Sequence, residues 1–361
     1  MWTINVCTYN IMTPVTQPLR YNGQMERLTL IPEALHDLHQ NTPGGLDVLI
    51  IQELIPSKYH RFLKKKLALL GWTYCSHPLY SSVFSSKLVG GGVVIFSRHP
   101  ILDQKQKVFE CACTSTDCLA SKGVVYCKVQ LPSGNAVSVV ATHFQAWATQ
   151  TGAAVRREQA EECRSFIDSL GLQPSEAVLF AGDLNTDYYT QQPELAQISK
   201  ALGVQLLSLD ADSHPFTSDP NTNAMVGNDD AEMYSTRLYP SGCYEAYMQT
   251  LRCPCCPQEL LDYMGFSLCH QHPVSTHCQV VMLKTPQPIG IKLNVTTERM
   301  VSDLSDHYPL VGTFQWSSPS VHSCNSEPVG VQPHLYVVWP VAIFLFVLFV
   351  LWLVWRRTKN K

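Results

Sequence analysis

Apolar runs and helical patterns alternate over residues 1–316, with turn-forming residues between them. The first ten residues place apolar side chains on one face of a predicted strand that ends at Asn10. Residues 25–40 and 154–170 repeat apolar side chains at helical spacing. Further strands are predicted at 46–54, 91–98, 123–131, 136–144 and 177–185. The pattern therefore predicts an α/β domain.

Polar side chains stand where several of these strands end. They are Asn10, Glu53, His143, Asp183 and Asn185, and Asp306 with His307 follows in a later turn-like segment. Strand ends converge at one edge of a sheet or sandwich, so side chains from distant parts of the sequence can meet there. Each residue alone is an ordinary turn former. Together they are the residue types that one hard cation and one phosphate require.

Short motifs around these residues carry a family resemblance. They are TYN (8–10), QE (52–53), TH (142–143), GDLN (182–185), LDY (261–263) and SDH (305–307). In this order they resemble the endonuclease/exonuclease/phosphatase superfamily of metal-dependent phosphodiesterases. The segments 90–101, 117–126, 141–146, 218–224, 259–263 and 305–309 are similar to the neutral, magnesium-dependent sphingomyelinases. The resemblance covers about residues 3–315 and implies a four-layer α-β-β-α sandwich of the DNase-like type.

The resemblance implies hydrolysis of sphingomyelin to ceramide and phosphocholine at a magnesium centre, with Mn²⁺ as an alternative cation. The implied metal ligands are Glu53, Asn10 and Asp306. Their oxygen atoms suit Mg²⁺, which prefers hard ligands and keeps several waters. The expected partner is therefore a membrane phospholipid, while the oligomeric state stays open.

The resemblance also implies a catalytic role for His307, as the general base that activates the attacking water. Imidazole titrates near neutral pH, which suits this role, and Asp262 is expected to orient the ring. The other residues implied in catalysis are His143, Asp183 and Asn185, and those implied in substrate binding are Lys122 and Asp117.

The charge of the chain weighs against a nucleic-acid substrate. The last six residues hold four basic side chains, and the rest of the chain holds 22 Lys and Arg against 29 Asp and Glu, a net charge of −7. A nuclease would be expected to carry a basic stripe for phosphates. The alternatives that remain are the same fold acting on another phospholipid, a nucleic acid or a phosphoinositide, and a non-catalytic binding module.

The C-terminal part of the chain predicts a membrane anchor. Residues 335–355 are 21 uncharged, largely apolar residues, which would span roughly 32 Å as a helix. We therefore expect a phosphodiesterase domain (1–316), a Ser/Pro-rich linker (317–334), a transmembrane helix (335–355) and a basic tail (356–361). The basic tail favours a lumenal or extracellular domain, whereas the absence of a signal-peptide pattern favours the cytosol.

The chain has 14 cysteines, whose chemistry the sequence leaves open. Cys111, Cys113 and Cys118 form one cluster, and residues 253–278 hold another. Such clusters are disulfides in an oxidising compartment, and free thiols or metal ligands elsewhere.

Overall fold

The computed structural model describes residues 1–13, 23–79, 87, 89–226, 257–292 and 298–317. The described helices are α1 (Gln24–Asn41), α2 (Ser57–Leu69), α3 (Gln150–Ser169) and α4 (Gln192–Leu202), with a 3₁₀ turn at Ser115–Leu119. The first strands are β1 (Trp2–Asn10), β2 (Val48–Gln52), β3 (Tyr74–Cys75), β4 (Val89–Gly90), β5 (Val94–Ser97), β6 (Ile101–Val108), β7 (Ala120–Ser121) and β8 (Gly123–Gln130). The remaining strands are β9 (Ala136–His143), β10 (Ala177–Asp183), β11 (Val204–Leu206), β12 (Asp262–Ser267), β13 (Ser275–Val280), β14 (Lys284–Lys292), β15 (Glu298–Asp303) and β16 (Leu310–Trp316).

Two six-stranded sheets organise the described chain. The first has the strand order β13-β16-β1-β2-β5-β3 and the second has the order β11-β12-β10-β9-β8-β6. In each sheet the central pair, β1 with β2 and β9 with β10, is parallel. Parallel neighbours end at the same edge of a sheet. The polar residues at or just after the ends of these four strands therefore form two groups, one on each sheet.

The side chains of β1 alternate between two apolar cores, as the period of a strand requires. Ile4 and Val6 are fully buried in a core shared with the second sheet and with apolar residues of α3 and α4. Cys7 and Tyr9, on the opposite face, are buried against apolar residues of α1 and α2. The first sheet is therefore covered on both faces, which explains why its central strands are almost wholly apolar.

The elements predicted from the apolar pattern are present, and their bounds differ by a few residues. The predicted helices correspond to α1 and α3, and the predicted strands correspond to β1, β2, β5, β8, β9 and β10. These elements confirm an α/β fold with several sheets.

The membrane localisation predicted from the sequence is corrected. Within the described part of the chain, every helix is too short or too polar to cross a bilayer. The predicted span 335–355 and tail 356–361 lie outside the described residues, as does the linker apart from Ser317. Hydropathy in a window reports how apolar a segment is and does not by itself establish a helix across a bilayer, so the predicted localisation has no support in the described part of the chain.

The cysteines of the described chain take two of the three forms that the sequence allowed. Cys113 and Cys118 form a disulfide that closes the loop around the 3₁₀ turn. Cys111, Cys269 and Cys278 are free thiols. Cys253, Cys255 and Cys256 lie outside the described residues.

A buried arginine joins the end of β1 to the loop before β16. Arg27, in the first turn of α1, is 0% exposed. Its Nη1 donates to the backbone oxygens of Ile11, at 2.7 Å, and Leu304, at 2.9 Å. Its Nη2 donates to the Met12 oxygen. These carbonyls lie immediately after Asn10 and shortly before Asp306, so Arg27 fixes two loops that carry candidate site residues.

Replacing Arg27 with methionine should destabilise the protein strongly. The Arg27→Met variant leaves three buried carbonyls without this donor, at a cost of about 1–3 kcal/mol for each unsatisfied group. We expect the free energy of unfolding in urea to fall by about 3–6 kcal/mol. The control is Arg61→Met on the exposed face of α2, which should change stability by less than about 0.5 kcal/mol. Equal losses in the two variants would contradict the assignment of Arg27 as a structural clamp.

Candidate active site

Three candidate residues form one row across the second sheet. Asp183, the last residue of β10, is paired in register with His143 at the end of β9. On the other side of β10, Asp183 is paired with Asp262, the first residue of β12. Paired residues of neighbouring strands project from the same face. The strand register therefore gathers three polar side chains that are distant in sequence.

The first sheet presents a second group of polar residues. Asn10 ends β1 and is paired with Gln52 of β2, and Glu53 follows directly. Glu53 has φ 59°, in the left-handed region, and Gly92 packs against it. A Cβ on Gly92 would lie 2.9 Å from both the Glu53 Cα and the Leu54 nitrogen. Glycine at position 92 thus permits the turn that directs the Glu53 carboxylate.

Asn10 connects the two sheets through its side-chain amide. The Asn10 Nδ2 donates to Glu53 Oε1 at 3.1 Å and to Asp183 Oδ2 at 3.0 Å. Its Oδ1 accepts a hydrogen bond from the Met12 nitrogen at 3.1 Å. The Asn10 amide group therefore bridges two carboxylates, and its role as an oxygen ligand of a metal stays a prediction.

His307 and Asp262 form a buried pair. The His307 Nδ1 lies 2.7 Å from Asp262 Oδ2, and the His307 Nε2 lies 4.0 Å from Asp183 Oδ2. Burial alone would lower the pKa of His307. The charge and hydrogen bond of Asp262, with the charges of Asp183 and Asp306, outweigh burial and raise that pKa well above its usual value.

Lys122 and Asp117 lie beside His143. The Lys122 Nζ is 3.0 Å from His143 Nε2 and 3.0 Å from Asp117 Oδ2, and it donates to the Phe144 oxygen. An ammonium group has only donors, so the His143 Nε2 accepts and its proton is on Nδ1. Burial and the Lys122 charge lower the pKa of His143 to about 3. His143 is consequently a neutral imidazole.

Asn185 and Asp306 complete the candidate set. The Asn185 backbone nitrogen donates to Asp183 Oδ1 at 2.8 Å, and its Nδ2 donates to the Phe144 oxygen at 3.1 Å. Asp306 follows Ser305. The Ser305 hydroxyl lies 2.7 Å from the backbone oxygen of Asn10 and 3.1 Å from Asp306 Oδ1. The structure therefore places all ten residues named from the sequence in one connected region.

Several supporting residues were missed by the sequence analysis. Ser305 ties Asp306 to β1, and the Thr217 hydroxyl accepts from the Leu261 nitrogen at 3.1 Å, just before Asp262. Gln145 donates to Asp117 at 3.0 Å. Ser305 and Gln145 lie inside motifs of the family resemblance and Thr217 directly precedes the segment 218–224, which was the available signal. Arg27 gave no such signal, because its role depends on contacts across the fold.

The electrostatics of Glu53 indicate a place for a cation. Burial, followed by repulsion from Asp306, raises the pKa of Glu53 to about 8. Among the described side chains, no Lys, Arg or His forms an ion pair with Glu53 or Asp306 within 4.0 Å. Two mostly buried carboxylates in this position are costly unless a positive charge lies between them. The donor set thus fits a divalent metal.

A second arrangement could also hold a metal. Ligand atoms of Asp183, Asp262 and His307 lie within 4.8 Å of one another. Asp262, however, already binds the His307 Nδ1 at 2.7 Å. A carboxylate that orients an imidazole is a poorer metal ligand than the uncompensated Glu53 and Asp306, so we favour the latter pair.

Comparisons with known proteins agree with this geometry. The model of the Endonuclease/Exonuclease/phosphatase family matches residues 7–233. Sphingomyelinase C from Bacillus cereus is 30% identical over 333 residues, which is 86% of this chain and 89% of that protein. The structure of sphingomyelinase C from Streptomyces griseocarneus is 26% identical with a TM-score of 0.69, covering 87% of this chain and 99% of its own.

The fold alone is shared with a β toxin variant from Staphylococcus aureus whose structure contains bound magnesium ions. It is 24% identical, with a TM-score of 0.69, and covers 87% of this chain and 100% of its own.

This chain has two six-stranded sheets with acidic and imidazole side chains at one edge, in agreement with the family model that it matches. The chain belongs to the endonuclease/exonuclease/phosphatase family. Relatives over most of its length are named sphingomyelinase C, which confirms the enzyme type expected from the sequence motifs.

The pKa of Glu53 predicts a pH-dependent stability in the absence of metal. Its pKa is 4.5 in the unfolded chain and about 8 in the folded protein. Between these values the unfolded state binds fewer protons, so this carboxyl makes the folded state less stable as pH rises. The neutral Glu53→Gln variant should lose this dependence. Its stability relative to wild type, measured by urea unfolding in EDTA, should therefore increase as pH rises through that window.

Glu33→Gln, on the exposed face of α1, is the matched control. It should follow the wild-type curve at every pH. If the Glu53→Gln curve also ran parallel to wild type, Glu53 would not be the strained carboxyl that we describe.

Proposed function

We propose that the chain, as a four-layer α-β-β-α sandwich of this family, hydrolyses sphingomyelin to ceramide and phosphocholine in a Mg²⁺-dependent reaction. The observation that carries the proposal is the His307–Asp262 pair, at 2.7 Å, beside Asp183 and the uncompensated carboxylates. The similarity to sphingomyelinase C proteins supports the choice of substrate.

Glu53 and Asp306 would hold the cation, and Asn10 would orient Glu53. A bound Mg²⁺ supplies polarisation of a non-bridging phosphate oxygen and offsets negative charge on the leaving alkoxide. The Asn10 amide donates to both the Glu53 and the Asp183 carboxylates, at 3.1 Å and 3.0 Å, and so holds the two groups beside each other. In this proposal Glu53 binds the cation and Asp183 orients the attacking water.

His307 is the general base in this proposal. Asp262 occupies the Nδ1 side of the ring, so Nε2 is the nitrogen that can accept a proton from water. The gap of 4.0 Å between Nε2 and Asp183 is too wide for a direct hydrogen bond. A water in this gap would be oriented by both groups, and Nε2 would take its proton as the oxygen attacks phosphorus in line with the leaving group.

The opposite side of the site carries the positive charge of Lys122. Lys122 is buried and its charge is balanced by Asp117 at 3.0 Å. The neutral His143 carries its proton on Nδ1 and keeps Nε2 against Lys122. We propose that the positive charge of Lys122, with His143 and Asn185 beside it, stabilises the negative charge that develops on the phosphoryl oxygens. The contacts of Lys122 with Asp117, His143 and the Phe144 oxygen hold this charge in place.

The other functions considered have less support. The superfamily that the chain resembles also includes nucleases and inositol-phosphate phosphatases. A net charge of −7 outside the last six residues disfavours a nucleic-acid substrate. A non-catalytic binding module would not need a buried carboxylate–imidazole pair. Another phospholipid with the same phosphodiester is the second candidate, since the roles proposed above concern only the phosphodiester that both lipids share.

Hydrolysis of headgroup-labelled sphingomyelin in detergent micelles tests the proposal. Wild type should release phosphocholine in Mg²⁺ and not in EDTA. The His307→Ala variant should lose about 10²- to 10⁴-fold in kcat, the usual contribution of a general base. Phosphatidylcholine and abasic DNA serve as parallel substrates. His272→Ala, which removes an exposed histidine, should retain wild-type activity.

Preferential cleavage of abasic DNA would contradict the lipid substrate. Full activity of His307→Ala would contradict the general base, and activity in EDTA would contradict the metal requirement. The absence of turnover on all three substrates would favour a binding function.

The orienting role of Asp262 predicts a change in the pH–rate profile. A base must be unprotonated, and the acidic residues around His307 raise its pKa. Wild-type kcat should therefore rise with pH through the His307 pKa. Asp262→Asn removes a negative charge, which lowers that pKa, so the rising limb should move to lower pH.

The plateau of the Asp262→Asn profile should also fall, by about 10²- to 10⁴-fold, because the ring is no longer held in its productive tautomer. Asp37→Asn, an exposed substitution on α1, should leave the profile unchanged. A rising limb that stays at the wild-type pH in Asp262→Asn would contradict the assignment of His307 as the titrating base.

A further inference from the structure

A group of aromatic rings lies on loops that are hydrogen-bonded to the segments carrying the catalytic pair, and it has no part in the mechanism above. We call Tyr188, Tyr189 and Phe216 the aromatic cluster. The Tyr188 and Tyr189 ring centroids are 5.2 Å apart with an interplanar angle of 85°. The Tyr189 and Phe216 centroids are 5.1 Å apart with an angle of 59°. The three rings thus pack against one another at an angle and do not stack as one flat surface.

The rings of the aromatic cluster are partly open to solvent. Tyr188 is 39% exposed and Tyr189 is 46% exposed, which is unusual beside a site whose other members are largely buried. Tyr189 is held in place, because its hydroxyl donates to the Pro215 oxygen at 3.2 Å. An exposed pair of tyrosines in which one ring is held by a hydrogen bond indicates a binding surface more than ordinary packing.

The loop that carries the two tyrosines begins in the site. Asn185, whose backbone nitrogen binds Asp183 at 2.8 Å, is three residues before Tyr188. The Tyr188 nitrogen donates to the Leu260 oxygen at 3.1 Å, two residues before Asp262. The loop is therefore attached to the strand that carries the orienting carboxylate.

Phe216 is linked to both members of the catalytic pair through the next residue. The Thr217 hydroxyl lies 3.4 Å from the Asp262 nitrogen, and the Thr217 oxygen accepts from the Tyr308 nitrogen at 2.7 Å. Tyr308 directly follows His307. Thr217 therefore connects the aromatic cluster to the backbone of Asp262 and to the residue that follows His307.

We propose that the aromatic cluster is the headgroup subsite and binds the quaternary ammonium of choline. This inference rests on the proposed function, because it assigns the part of the site that distinguishes one phosphodiester from another. A quaternary ammonium cannot donate a hydrogen bond and is weakly hydrated, so aromatic faces in several orientations recognise it through cation–π contact. The cationic pole of phosphocholine would thus lie on the rings while its phosphate lies at His307 and Lys122.

The subsite is tested by the ratio of kcat/KM for sphingomyelin to kcat/KM for ceramide phosphoethanolamine, in mixed micelles with Mg²⁺. The second lipid has the same phosphodiester but a primary ammonium, which is smaller and more strongly hydrated. Tyr189→Ala should lower kcat/KM for sphingomyelin by about 2- to 30-fold, the range of a cation–π contact. Its effect on ceramide phosphoethanolamine should be smaller, so the ratio should fall.

Two further variants separate binding from folding. Tyr189→Phe removes the hydrogen bond to Pro215 and keeps the ring, so it should preserve the wild-type ratio. Tyr74→Ala removes a tyrosine of similar exposure, 40%, from the edge of the first sheet, and it should also preserve the ratio. Phosphocholine binding to wild type and Tyr189→Ala, followed by NMR, gives a readout that does not depend on turnover.

A Tyr189→Ala variant that loses the same factor on both lipids, and binds phosphocholine as wild type does, would overturn the subsite. Weakened binding to lipid vesicles with an unchanged ratio would also overturn it, since the rings would then contact the bilayer surface and not the headgroup. Failure of wild type to hydrolyse either lipid would refute the proposed function, whereas the phosphocholine titration would still report on the rings.

Discussion

Strand register is the constraint on which the site depends. Asp183 lies opposite His143 on one side and opposite Asp262 on the other, so a single position of β10 sets three side chains at once. A shift of one residue in either pairing would turn a functional side chain to the opposite face of the sheet. Asn10 then joins this row to Glu53 of the first sheet. The chemistry is therefore a property of how two sheets are aligned.

The charges gathered by this alignment are only partly balanced by the protein. Lys122 is paired with Asp117, and His307 is paired with Asp262. Glu53 and Asp306 have no such partner among the described residues, and burial with mutual repulsion raises the pKa of Glu53. This imbalance separates the site into a half that the fold neutralises and a half that a divalent cation would neutralise. It gives the proposed metal requirement a physical basis in the residues of this chain.

The sequence predicted the parts of the fold that depend on local pattern. Strands β1, β9 and β10 were recognised because each is an apolar run with a polar residue at its end. Strand β12 was not predicted as an element, and only its motif was noticed, because its place is set by antiparallel pairing with β10.

The candidate site was predictable as a list of residues, since they occur in ordered motifs. Its internal contacts were not, because no motif predicted that the Asn10 amide would bridge the Glu53 and Asp183 carboxylates. The predicted membrane localisation rested on hydropathy alone. The described part of the chain, which does not include residues 335–355, gives it no support.

Calorimetric titration of Mg²⁺ into the metal-free protein tests the central claim most directly. The account predicts one site that is abolished in Glu53→Gln, retained in Asp262→Asn, and unaffected in the exposed control Asp212→Asn. Full binding by Glu53→Gln would contradict the account. If Asp262→Asn alone lost the metal, the cation would instead belong to the group of Asp183, Asp262 and His307.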